Sequence, residues 1–177
     1  MRRTIYLIAL FGLLFSCKNS EKVEVQDKAP VLYSVLGELT QTSQYCGGAR
    51  PTQEMEDEIR RPRPYPLKIY LRKDSVNRLG SPVIKEIMPD AEGKLELKLE
   101  AGTYCIVREY QLQAANPSSL RSQDVGVDEA CFRKKWAECF KSFEVKDASV
   151  DLGALNIKHR CFLPDLPCVR FEGQMPP

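Results

Sequence analysis

The sequence predicts a mainly β chain with one amphipathic helix, braced by disulfides, and three observations carry that prediction. Leu95, Leu97 and Leu99 alternate with Lys94, Glu96, Lys98 and Glu100, the period-two pattern of a strand with one wet and one buried face. The surrounding stretch, Ser81 to Val107, reads as three apolar strands joined by Asp90-Ala91-Glu92-Gly93 and Ala101-Gly102. Each junction offers a glycine where φ can be positive, and Asp90 adds an acceptor side chain at the turn entry; an antiparallel meander is expected. Finally, six cysteines remain once Cys17 is set aside, namely Cys46, Cys105, Cys131, Cys139, Cys161 and Cys168. An even number suits three bridges in an oxidising compartment.

Arg2 and Arg3 form a positive start, and Ile5 to Phe15 an apolar core of eleven residues, followed by Leu14-Phe15-Ser16-Cys17 as the cleavage region. Spanning a bilayer takes about 20 apolar residues, so residues 1–16 read as a removed export signal. The pattern resembles a bacterial lipoprotein signal, which implies that the Cys17 thiol is acylated and becomes the first mature residue. An ordinary secretory signal cut nearby is the alternative. Two or more acyl chains on Cys17 hold a protein firmly at a membrane, whereas one gives marginal binding. The resemblance also implies an outer-membrane location, because Lys18, not aspartate, follows the cysteine. The periplasmic or surface face stays open.

Residues 17–29 then form a lipid-anchored tether, Lys18 to Ala29 being polar and poor in large apolar side chains, with a reach of roughly 20 Å. Residues 30–177 are expected to form one domain, large enough for a proper core. The full chain carries 26 basic and 24 acidic residues. Removing residues 1–16, which hold Arg2 and Arg3 and no acid, leaves 24 of each, so no net field steers the protein toward nucleic acid.

Within the domain, Val31 to Tyr45 reads as a long strand with a bend or bulge near Gly37, ending at Tyr45-Cys46-Gly47-Gly48. That glycine pair lacks the spacing and the lysine of a phosphate cradle and reads as a turn. Gln53 to Arg61 places acids before bases behind Thr52 and ahead of Pro62, the order a short capped surface helix prefers. Leu67, Ile69 and Leu71 alternate with Lys68, Tyr70 and Arg72, a second strand. The strand ending the meander is expected to run on through Leu112, and Gln113 to Asp124 reads as a loop. From Val127 the period changes: Phe132, Trp136, Cys139 or Phe140, and Phe143 fall at helical spacing behind Asp128, predicting a helix over about 128–141. Phe143–Val145, Val150–Leu155 and Ile157–Phe162 are short strand candidates, and Gly173 to Pro177 should fray.

The phrase Asp90, Gly93, Leu95, Leu97, Leu99, Ala101, Gly102, Tyr104 and Ile106 resembles that of transthyretin-like domains of the carboxypeptidase regulatory kind. The resemblance implies an antiparallel sandwich of about seven strands serving as a non-enzymatic accessory. The purine-pathway hydrolase of that superfamily uses several histidines and a Tyr-Arg-Gly-Ser terminus. This chain has one histidine and ends Gln174-Met175-Pro176-Pro177, so that activity does not carry over.

Six cysteines allow fifteen pairings. Cys131 and Cys139, eight residues apart on a helix, would be separated by roughly 12 Å of rise, beyond the reach of a bridge. The proline-punctuated tail is expected to close through Cys161 with Cys168. His159, Cys161 and Cys168, with Cys46 or Asp165, are the only candidates for a metal or thiol-redox centre, but their spacing matches no paired zinc pattern. A lone histidine, with no Gly-x-Ser-x-Gly and no His-Glu-x-x-His, leaves no catalytic constellation; the carboxylates Glu56 and Asp57 are the only foothold for hydrolysis. No cofactor is expected. The primary expectation is a binding or scaffolding lipoprotein, with membrane as one partner and an undetermined protein or glycan as the other. Tyr65, Tyr70, Tyr110 and Trp136 are the aromatic residues available for a glycan platform.

Overall fold

The computed structural model describes residues 29–174; the expected export signal, Cys17, nearly all of the expected tether and Met175 to Pro177 lie outside that range. Two four-stranded sheets and a separate two-stranded ribbon make up most of it. In the first sheet the long strand β1 (Tyr33–Thr42) is central. Its Tyr33–Glu38 half pairs antiparallel with β5 (Lys94–Leu99), and its far end with the short β2 (Arg63–Pro64). On the opposite side β9 (Val150–Lys158) runs parallel to it. The second sheet has the order β4 (Val83–Ile87), β3 (Ile69–Arg72), β6 (Gly102–Val107), β8 (Lys141–Val145), all antiparallel.

Both sheets feed one core. Leu95, Leu97 and Leu99, buried in strict alternation, meet Val35, Leu39, Leu152, Leu155 and Ile157 of their own sheet and Ile69, Leu71, Ile87, Tyr104, Ile106, Phe143 and Val145 of the other. Each such side chain removed from water contributes about 1.5–3 kcal/mol, which is why the period-two pattern dictates which face turns inward.

The pattern does not dictate which strand lies alongside, and here the structure corrects the expected meander. After β4 the chain crosses the core to place β5 against β1, then crosses back to place β6 between β3 and β8. Asp90 still caps its turn, accepting from the Glu92 and Lys94 amides at 3.1 and 2.7 Å, but the turn is an arch between sheets. Gly93, at φ +83°, offers its carbonyl to the Leu39 amide at 2.7 Å, and a Cβ there would stand 2.6 Å from the Leu39 oxygen. That position takes glycine alone.

Other expectations shift for similar reasons. The irregularity sits at Gly37, but the one extra residue belongs to β9, where Gly153 adopts φ +66° and Leu152 packs 3.1 Å from where a Gly37 Cβ would be. Strand β3 begins at Ile69, leaving Leu67 exposed. Strand β6 stops at Val107, because the Arg108 amide donates to Gln111 Oε1 at 3.0 Å and Glu109–Gln111 turns into a 3₁₀ helix. Val150–Leu155 and Ile157–Phe162 are one strand, not two, ending at Lys158. Helix α1 (Gln53–Arg60) forms as expected, Thr52 Oγ1 accepting from the Met55 amide.

Helix α2 (Glu129–Ala137) is capped by Asp128, which accepts from the Cys131 amide at 3.0 Å, but ends four residues earlier than its apolar spacing suggested. Phe140 instead donates its amide to Ile106 at 2.8 Å, and the chain joins β6 as β8. Phe132 and Trp136 pack with Val127 and Val169 into a second, smaller core. The ribbon of β7 (Val125–Val127) and β10 (Val169–Phe171) borders it; both strands were absent from the expected set.

Three disulfides close the fold: Cys46–Cys161, Cys105–Cys139 and Cys131–Cys168. The expected Cys161–Cys168 bridge is not formed. Parallel pairing with β1 carries the end of β9 to the end of β1, where the His159 amide meets the Thr42 carbonyl at 2.8 Å, so Cys161 arrives beside Cys46. Pairing of β10 with β7 holds Cys168 at the start of α2, its carbonyl 3.0 Å from the Asp128 amide.

Candidate functional site

Of the residues singled out for chemistry, His159, Asp165, Tyr65 and Tyr110 come together, around the half-buried pair Arg108 and Asp165. Arg108 lies just past β6, and Asp165 in the loop between β9 and β10. Their Nη2 and Oδ2 atoms are 2.5 Å apart, with side chains 17% and 25% exposed. At that burial the charge-assisted bond matters more than at an open surface.

His159 lies beside this pair. Its Nε2 shares a 2.7 Å hydrogen bond with Gln41 Oε1, and its Nδ1 is 4.0 Å from the Asp165 carboxylate. The Tyr65 ring lies 6.0 Å from the imidazole, centroid to centroid, and the Arg108 guanidinium 5.5 Å from the Tyr110 ring. Burial pushes the Tyr65 phenol above its ordinary pKa; Arg108 opposes this and Asp165 adds to it. Burial likewise raises Tyr110. Both phenols therefore stay neutral donors at physiological pH. A cavity of about 220 Å³ opens between Tyr65, Lys68, Arg108, Tyr110 and Asp165, and another of about 290 Å³ lies on the far side, toward Phe140, Lys158 and Pro167.

The Arg108 guanidinium and the Asp165 carboxylate are paired with each other, and the imidazole of His159 lies between Gln41 and Asp165. The metal or thiol-redox grouping of His159, Cys161 and Cys168 is not assembled: Cys161 is bonded to Cys46 and Cys168 to Cys131, so neither sulfur is a thiolate ligand. Among the described residues no three His, Cys, Asp or Glu side chains cluster as a metal site. Glu56 and Asp57 are tied to their own helix, Glu56 to Arg60 at 2.9 Å and Asp57 to Gln53 at 2.8 Å.

No family model, curated protein or solved structure matches the chain. The site therefore speaks through its own geometry.

Of the four aromatic residues considered as a glycan platform, Tyr65 and Trp136 are core residues, Trp136 donating its indole N–H to the Gln113 carbonyl at 2.8 Å. Tyr70 and Tyr110 are only half-buried. Tyr45 was not among the four, yet it lines a cleft of about 560 Å³. The signal for it was Gly47, at which a Cβ would stand 2.3 Å from the Tyr45 hydroxyl.

Proposed function

We propose that the chain is an exported lipoprotein, anchored at an outer membrane through acylated Cys17, whose transthyretin-like sandwich serves as a non-catalytic binding module. One observation carries the reading. Of seven cysteines, six are consumed in bridges, and the one left over is Cys17, at the position a lipoprotein signal requires. Three disulfides suit an oxidising compartment. Two sheets sharing one core suit a sandwich, and the arches on either side of β5 suit a fold in which successive strands alternate between sheets. Among the described residues no helix is long and apolar enough to cross a membrane, so in this reading attachment falls to the lipid.

Labelled palmitate fed to cells expressing the protein tests the anchor. Wild type is expected to take up label and sediment with membranes, while Cys17→Ser takes up none and appears in the soluble fraction. Equal labelling of both forms, or a soluble wild type, overturns the reading.

A further inference from the structure

The cleft beside Tyr45 is built from three elements that the sequence leaves far apart: the segment following β1, the last turn of α1 and the end of β9. Its walls are fixed. The Cys46–Cys161 bridge joins the chain leaving β1 to the chain leaving β9, Cα to Cα 5.4 Å. The Ser43 amide bonds the Ile59 carbonyl at 3.3 Å and holds α1 in place. Asn156 is oriented from both sides, donating to Thr42 Oγ1 at 3.0 Å and accepting from Thr40 Oγ1 at 3.4 Å. The Tyr45 ring is seated against Gly47. Preorganisation of this kind lowers the cost of ordering side chains on binding.

The chemistry of the cleft is selective. Among the described residues the Ser43 hydroxyl, the Gln44 amide, the Tyr45 hydroxyl and the Lys158 ammonium have no side-chain hydrogen-bond partner in the protein, whereas Arg60 is already paired with Glu56. The walls thus offer hydroxyl and amide groups, one aromatic face and one uncommitted cation. Apolar ligands find only Ile59 and the Tyr45 ring, and a phosphate dianion would face the Glu56 carboxylate with a single free cation. A volume of about 560 Å³ lies within the range of small-ligand sites.

We propose that this cleft binds an acidic saccharide of the hexuronate class, a sugar face lying on Tyr45 and its carboxylate meeting Lys158. The proposal rests on the reading of the domain as a binding module, and not on the lipid anchor. Its test is calorimetric titration of the protein as recovered from the expressing cells, in detergent micelles, with hexagalacturonate, a hyaluronan hexasaccharide and maltohexaose. At least one acidic oligosaccharide is expected to bind about tenfold or more tightly than maltohexaose, and Tyr45→Ala and Lys158→Gln each to weaken it about tenfold, the scale of one contact, with unchanged circular dichroism. Absence of heat from both acidic sugars, equal binding of maltohexaose, or wild-type affinity in both variants overturns it. The palmitate experiment fails or succeeds independently, so loss of the anchor and loss of the ligand are told apart.

Discussion

Replacing Cys46 and Cys161 together by serine lowers the unfolding free energy by about 5 kcal/mol, the chain-entropy value for a loop of this length. The bridge spans 115 residues, against 34 for Cys105–Cys139 and 37 for Cys131–Cys168. Chain entropy assigns each of the two shorter loops about 4 kcal/mol. Cys46 is exposed and Cys161 half-buried, so serine at these positions adds little desolvation cost and the loss measures the crosslink. Urea unfolding monitored by circular dichroism, extrapolated to water, is the measurement. A loss under about 1 kcal/mol would mean that β1 and β9 hold their parallel register without the staple.

Gln111→Leu is expected to cost about 2 to 5 kcal/mol, because the Arg108 amide and the Glu138 carbonyl lose their partner at about 1–3 kcal/mol each, while the Trp136 carbonyl keeps only Asn77. Gln111 is 1% exposed. Its amide nitrogen donates to the Trp136 and Glu138 carbonyls at 2.9 and 2.7 Å, and its oxygen accepts from the Arg108 amide at 3.0 Å. Asn77 extends the network, donating to the Gln111 and Trp136 carbonyls and accepting from Arg72 Nη1 at 2.7 Å. Arg72 is itself 3% exposed, also donates to the Arg78 carbonyl, and has no partner for Nε; burial lowers its pKa. The network ties the Trp136 end of α2 to the second sheet, where main-core contacts are few. Limited trypsin digestion gives the second readout: Lys134 and Lys135 lie in the last turn of α2 and become early cleavage sites in the variant. Protection equal to wild type would show that the bridges alone dock the helix.

Local structure was legible wherever one physical rule acted alone. Leu95, Leu97 and Leu99 announced β5 because alternate burial is decided within the strand. Thr52 and the acid-to-base order announced α1 because capping and dipole are local too. Legibility stopped where a distant partner decided. The turn chemistry at Asp90–Gly93 serves an arch as well as a hairpin, so the sheet to which β5 belongs was invisible. The apolar spacing of Phe132, Trp136, Phe140 and Phe143 continues past Ala137, yet the Cys105–Cys139 bridge and the Phe140–Ile106 hydrogen bond pull the chain into β8. Strands β7 and β10 are three residues each, too short for a period to register. The candidate site suffered most: Arg108, Asp165 and Tyr65 come from three separate stretches, and cysteine pairing follows strand pairing, which was itself unread.

Non-reducing peptide mapping by mass spectrometry, on protein recovered from the membrane fraction, tests the central claim most directly, because it reads the anchor and the fold together. The account predicts three crosslinked peptides, joining Cys46 to Cys161, Cys105 to Cys139 and Cys131 to Cys168, and a mature amino-terminal peptide beginning at acylated Cys17. An unmodified Cys17 within a peptide that still carries the preceding residues, or a crosslink between Cys161 and Cys168, would contradict it.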